Sequence, residues 1–172
     1  MMSVERVCIV GNFASGKSHF AKEISQELGI PITHLDDFYW HSDWSRCTRD
    51  EFLAKYQPIL EEKSWILDGS YPEFNLTRRF TAADMVFFLD MPFWFCWKQL
   101  VNRRSEVRDD FPVDEHQLKV SPVLGLVFIL RLVLFRVFDR QFIMNAARHS
   151  KTPFVRIRKW ADEDAALALC NR

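Results

Sequence analysis

Gly11-Asn12-Phe13-Ala14-Ser15-Gly16-Lys17-Ser18 is the stretch on which the reading of this chain turns. Ahead of it, Val4 to Val10 reads V-E-R-V-C-I-V, a short β-rich run. Behind it, Phe20, Ile24 and Leu28 recur at helical spacing, and Gly29 suits the residue just past a helix end. The unit is strand, glycine loop, helix. The pattern G-x-x-x-x-G-K-[ST] has a mechanism behind each fixed position. Gly11 and Gly16 allow backbone angles and close approaches that a Cβ obstructs. Successive N–H groups then form a concave nest for phosphate oxygens, and the following helix adds its positive end. Gly11, Asn12, Phe13, Ala14, Ser15, Gly16, Lys17, Ser18 and the adjacent His19 form the expected cradle for a nucleotide. Lys17 is expected to span the β- and γ-phosphates of ATP, and Ser18 to offer its hydroxyl to Mg²⁺.

The rest of the chain alternates in the same way. Pro31 to Leu35 reads as a second strand ending at Asp36-Asp37, and Ser64 to Leu67 as a third stopping at Asp68-Gly69. Met85 to Leu89 is a fourth, its unbroken apolar run suiting a central parallel strand. Phe154 to Ile157 is a fifth. Between them, Thr48-Arg49-Asp50-Glu51 fits a capping box opening a helix that Pro58 should kink. Pro92 fits the start of a helix running to about Arg104, and Asp162-Glu163-Asp164 the start of the last one. Ser121-Pro122 opens a long apolar helix. Alternating strands and helices predict an α/β fold with a five-stranded parallel sheet flanked by helices. The 172 residues make one domain.

Composition excludes several classes. Hydrophobic residues are 48% and charged residues 27%, which excludes a disordered chain. Only 5 residues are glycine, so the ones at 11, 16 and 69 stand out. The 23 basic and 23 acidic side chains cancel overall, yet residues 1–90 are acidic and 91–172 basic. The basic half suits phosphorylated ligands, nucleic acid or a solvated helical surface. The four cysteines form no C-x-x-C pair and no zinc pattern, the usage of a cytoplasmic protein with reduced thiols. Met1 to Val10 is not a signal peptide. Arg131 and Arg136 interrupt the apolar stretch 122–138, which argues for a buried or partner-facing helix rather than a transmembrane span.

In an open α/β sheet, ligands sit at the carboxyl ends of strands, so the loop, Asp36 and Asp68 should converge. Asp36 is the candidate for taking the proton of an attacking hydroxyl, and Asp68 for the Mg²⁺ environment. His34 contacts substrate or serves as a hydrogen-bonded structural histidine. Trp40 and Trp44 stack on a ring or belong to the core. Phosphoryl transfer needs cations that follow the migrating charge. Arg78 and Arg79 offer themselves to the substrate, and Arg103, Arg104 and Arg136 to catalysis.

These motifs together resemble the adenylate-kinase-like proteins often called DNA topology modulation proteins. The resemblance rests on G-N-F-A-S-G-K-S, H34-L-D-D-F-Y-W40, W65-I-L-D-G69 and D84-M-V-F-F-L-D90. It implies the three-layer P-loop NTPase fold of nucleoside-monophosphate kinases. It also implies a helical lid at roughly 104–145, with Arg103, Arg104 and Arg136 closing on ATP. The chain departs from the group at His19, where a threonine is common, and at Arg108-Asp109-Asp110-Phe111, which replaces an Arg-Pro-Asp element. The expectation is an ATP- and Mg²⁺-dependent kinase acting on a small-molecule acceptor, a nucleotide or related metabolite. The alternative is a regulatory or DNA-associated ATP-binding protein without kinase activity, and a third is a membrane-surface protein docking through 122–138. For the kinase no nucleic-acid partner is favoured, and the aromatic excess suits a homodimer surface.

Overall fold

The computed structural model of the chain describes residues 4–41, 45–103 and 129–170. Five strands form one sheet: β1 Arg6–Gly11, β2 Ile32–His34, β3 Trp65–Asp68, β4 Met85–Leu89 and β5 Phe154–Ile157. Their spatial order is β2-β3-β1-β4-β5, and every pairing is parallel. This is the predicted five-stranded sheet.

The sheet is buried on both faces, and the two-residue period of a strand sorts its side chains between them. Val7, Ile9, Ile66, Phe87 and Leu89 point to one core, filled by Phe20, Ile24, Cys96 and Leu100 from the helices. Cys8, Val10, Leu67, Val86 and Phe88 point to the other, filled by Phe52, Phe80, Phe135 and Ile143. The result is helix, sheet, helix. Helices α1 (Lys17–Leu28) and α5 (Phe93–Arg103) lie on the first face. Helices α2 (Asp36–Tyr39), α3 (Arg49–Tyr56) and α4 (Leu76–Ala82) lie on the second. A last short helix, α7, spans Glu163–Leu167.

Local expectations fare unevenly. The capping box is present: the Glu51 amide donates to Thr48 Oγ1 at 3.3 Å, and the Thr48 amide to Glu51 Oε2 at 2.7 Å. Pro58 does not kink α3. The α-helix stops at Tyr56, and a 3₁₀ turn over Pro58–Glu61 begins with the proline, whose ring cannot sit inside an α-helix. Helices α2 and α4 have no counterpart in the sequence reading. Helix α2 follows Leu35, which cannot cap it, and Asn75 ahead of α4, a residue type favoured there, makes no capping hydrogen bond.

The apolar helix is only partly as expected. Residues 121–128, Gly125 and the charged stretch 105–120 lie outside the described residues, as do Trp44 and most of the lid. From 129 to 150 the chain is helical (α6), with a π-helical turn at Phe135–Asp139. Its inner side buries Leu132, Phe135, Ile143 and Ala146. Leu132 reaches one core and Phe135 the other. Leu130, Val133, Leu134, Val137, Phe138 and Phe142 stay exposed, as do Arg131 and Arg136. The charges therefore need no buried partner. No helix of the described residues is long and apolar enough to cross a membrane.

The sheet core predicts its own sensitivity. Phe88 is fully buried between Phe135 and Phe154. Phe88→Ala should lower the unfolding free energy by about 3–5 kcal/mol in urea titration, the range for emptying a large aromatic site.

Candidate functional site

The loop between β1 and α1 is built as a nest. Ala14 (φ 55) and Gly16 (φ 94) adopt left-handed angles on either side of Ser15, which turns successive amides to one side. The Ser15 amide donates to the Asn12 carbonyl, and the Phe13 amide to Asn12 Oδ1. The amides of Ala14, Gly16 and Ser18 have no acceptor among the described residues. Lys17 folds back over the loop and donates to the Asn12 carbonyl at 2.8 Å. Both glycines are forced by contact. A Cβ at Gly11 would lie 2.7 Å from the Leu89 carbonyl oxygen, and one at Gly16 2.5 Å from the Trp160 ring.

Trp160 is a residue the sequence reading passed over. It stacks on His19 at 5.5 Å and on Phe95 at 6.0 Å, and so packs the start of α1 against α5. Ser70 is another. Its hydroxyl accepts from the Gly11 amide at 2.9 Å and donates to the Gly11 carbonyl at 2.7 Å, tying the loop to the end of β3. The only sequence signal for Ser70 is its place after Asp68-Gly69.

Asp68 ends β3 opposite Ile9, two residues before Gly11 on the neighbouring strand. One oxygen, Oδ2, accepts from the Ser18 hydroxyl at 2.8 Å and lies 3.0 Å from His34 Nδ1. The other, Oδ1, is buried and accepts no hydrogen bond from the described residues. Burial pushes the Asp68 carboxyl up. The His34 contact, the Lys17 charge and the Ser18 hydroxyl outweigh it and hold the carboxyl below its ordinary value. His34 is raised, chiefly by its hydrogen bond to Asp68 and against its own desolvation. A hydroxyl at the loop's last position beside an ionised carboxylate with a spare buried oxygen is a hard oxygen donor set, and it fits Mg²⁺.

Beyond this corner lies a second group. Asp36, at the start of α2, accepts a short hydrogen bond from the Tyr71 hydroxyl. Tyr71 is wedged among Tyr39, Phe52 and Phe74, with ring centroids 4.7, 5.2 and 6.2 Å away. Desolvation and the Asp36 charge raise the Tyr71 hydroxyl strongly, so it stays protonated and donates. Trp40 packs edge-on against Tyr39 at 5.0 Å and carries Arg46 over its ring.

The two arginines expected at the substrate behave differently. Arg79 is wholly buried, and its guanidinium donates to the carbonyls of Gly69, Ser70 and Tyr71 while lying over the Tyr56 ring. In this structure it braces the turn after β3. The reason is in α4, which buries that face against the sheet. Arg78 is exposed and lies 3.5 Å from Glu61. Arg136 is exposed on α6, with no ion pair among the described residues. Arg104 and the Arg103 side chain lie outside the described residues. A further pair went unread: Arg140 and Arg156 both hold the buried Asp90 at the end of β4.

No family model and no curated protein sequence matches this chain. Solved structures do. A shikimate kinase from Acinetobacter baumannii in complex with shikimate is 12% identical, with a TM-score of 0.63 over 96% of this chain and 90% of that one. A shikimate kinase from Bacteroides thetaiotaomicron is also 12% identical, with a TM-score of 0.58 over 97% and 96%. A deoxyadenosine kinase from M. mycoides with bound dCTP is 13% identical, with a TM-score of 0.52 over 96% and 98%. At these identities the likeness shows the fold, which is that of P-loop kinases.

The His34–Asp68 contact makes a pH prediction. His34 is raised above 6.5, so its contribution to stability is complete below that pH and is lost as pH rises through the folded value. Asp68 is held below 3.8, so its contribution is complete above that pH and is lost on further acidification. The stability gap between wild type and His34→Gln should therefore be widest between about pH 4 and 6.5, and narrow on both sides. Thermal melts across pH 3–9 measure it. A gap that widens from pH 7 to 9 would contradict the assignment.

Proposed function

We propose that this protein transfers the γ-phosphoryl group of ATP to a hydroxyl on a small molecule. The observation that carries the reading is the set of amides at Ala14, Gly16 and Ser18 that meet no acceptor among the described residues, beside the Ser18–Asp68 contact. Unpaired N–H groups at a helix start attract a polyanion, and a carboxylate beside them suits a cation that comes with it. The kinase fold of the structural neighbours supports the same reading. One of them binds shikimate and another binds a deoxynucleotide.

Residues 11–19 would hold the triphosphate. Lys17 would leave the Asn12 carbonyl for the β- and γ-phosphates. Ser18 and Asp68 would hold Mg²⁺, which when bound screens the charge of the phosphates. His34 keeps Asp68 ionised and fixed in direction. Asp36 would accept the proton of the attacking hydroxyl, with Tyr71 holding the carboxylate by the oxygen it does not use. Catalysis is then positioning and charge stabilisation. Arg103, Arg104 and Arg136 are assigned to closure over the transferred group, within a lid at roughly 104–145. The four free, buried thiols suit the cytoplasm.

The test is phosphorus NMR of ATP with Mg²⁺ and a panel of hydroxyl compounds, run on wild type and Lys17→Ala. Acceptor-dependent ADP should form in wild type and fall about 10²–10³-fold in the variant. ATP that binds without transfer to any compound would favour the regulatory alternative.

A further inference from the structure

Asn12, the second residue of the loop, is polar and only 2% exposed. A buried side-chain amide is costly unless its groups are hydrogen-bonded. Here Oδ1 accepts from the Phe13 amide at 2.8 Å, and Nδ2 donates to the Leu132 carbonyl at 3.2 Å. The second bond leaves the loop altogether. It reaches α6, 120 residues further along the chain, at a residue that is itself fully buried. A helix carbonyl has two lone pairs, so Leu132 can take this bond beside a helical one. The Asn12 main chain is engaged as well. Its carbonyl accepts from the Ser15 amide at 3.2 Å and from the Lys17 ammonium at 2.8 Å. One residue thus touches both the cation proposed to meet the phosphates and the helix that lies against the loop.

Helix α6 has a second hold on the same end of the sheet. Arg140 Nε lies 3.1 Å from Asp90, the residue after Leu89, and Leu89 is the register partner of Gly11. Between these two holds, at Leu132 and Arg140, runs the π-helical turn Phe135–Asp139, which carries Arg136. Turns of this kind gather at functional positions. Drawing Lys17 from the Asn12 carbonyl to a phosphate changes the bonding of the residue whose side chain holds α6. Linkage is reciprocal, so a loop that feels its ligand and a helix that feels the loop share one binding energy.

We propose that Asn12 is a positioning residue whose side-chain amide couples occupancy of the phosphate loop to the setting of α6 around Leu132. This rests on the ATP-binding part of the reading above and adds to it a connection from the loop to the helix that carries Arg136. The Phe13 bond fixes the plane of the amide, and the Leu132 bond makes the helix follow it.

The test is hydrogen exchange of the full chain read by mass spectrometry, with ATP and Mg²⁺ present or absent. ATP binding is measured separately by calorimetry, and folding by thermal melts. In wild type, saturating ATP should slow exchange across residues 130–140 by about threefold or more beyond any slowing in α3, the reference for global stabilisation. Asn12→Ala should still bind ATP at saturation and lose that extra slowing. Asn12→Asp at neutral pH keeps an acceptor for the Phe13 amide and lacks the donor to Leu132, so it should lose the slowing too. Slowing that persists in either variant overturns the proposal. Its absence in wild type with ATP bound overturns the proposal and leaves ATP binding intact, whereas a wild type that binds no ATP overturns both. Loss of folding or of all ATP binding in both variants marks a residue that serves only the loop's own structure, and overturns the coupling.

Discussion

One carboxylate oxygen organises this molecule. Asp68 Oδ2 meets the Ser18 hydroxyl and the His34 ring, so a single buried atom joins the end of β3, the start of α1 and the end of β2. Burying a charge is costly unless it is paired and hydrogen-bonded. The pairing here ties the first turn of α1, just after the glycine loop, to the ends of two strands. Arg79 does the complementary work from below. Its fully buried guanidinium gathers the carbonyls of residues 69–71 and so sets the turn that carries Ser70 to the loop and Tyr71 to Asp36.

What could be read from the sequence was what local spacing encodes. The loop pattern, the apolar runs of β1, β3 and β4, and the Thr48–Glu51 cap are all written within a few residues of one another. That Asp68 meets the loop follows from strand ends in a parallel sheet, a rule of topology rather than of residue type. The roles that went unread depend on partners far along the chain. Arg79 looks like a site arginine until α4 buries it. Asp90 draws Arg140 and Arg156 from 50 and 66 residues away. Trp160 meets Gly16 only because β5 lies beside β4. A π-helical turn has no reliable composition signature, although such turns gather at functional positions.

The site divides by charge. One side is a nest of amides with Lys17 and a carboxylate that retains its ionisation because His34, Lys17 and Ser18 favour it. The other side sets the Asp36 carboxylate against the Tyr71 hydroxyl and its aromatic neighbours.

The most direct measurement of the central claim is calorimetric titration of ATP into the wild-type protein, with and without Mg²⁺. The account predicts saturable binding of one ATP per chain that tightens when Mg²⁺ is present. No binding, or an affinity indifferent to Mg²⁺, would contradict it.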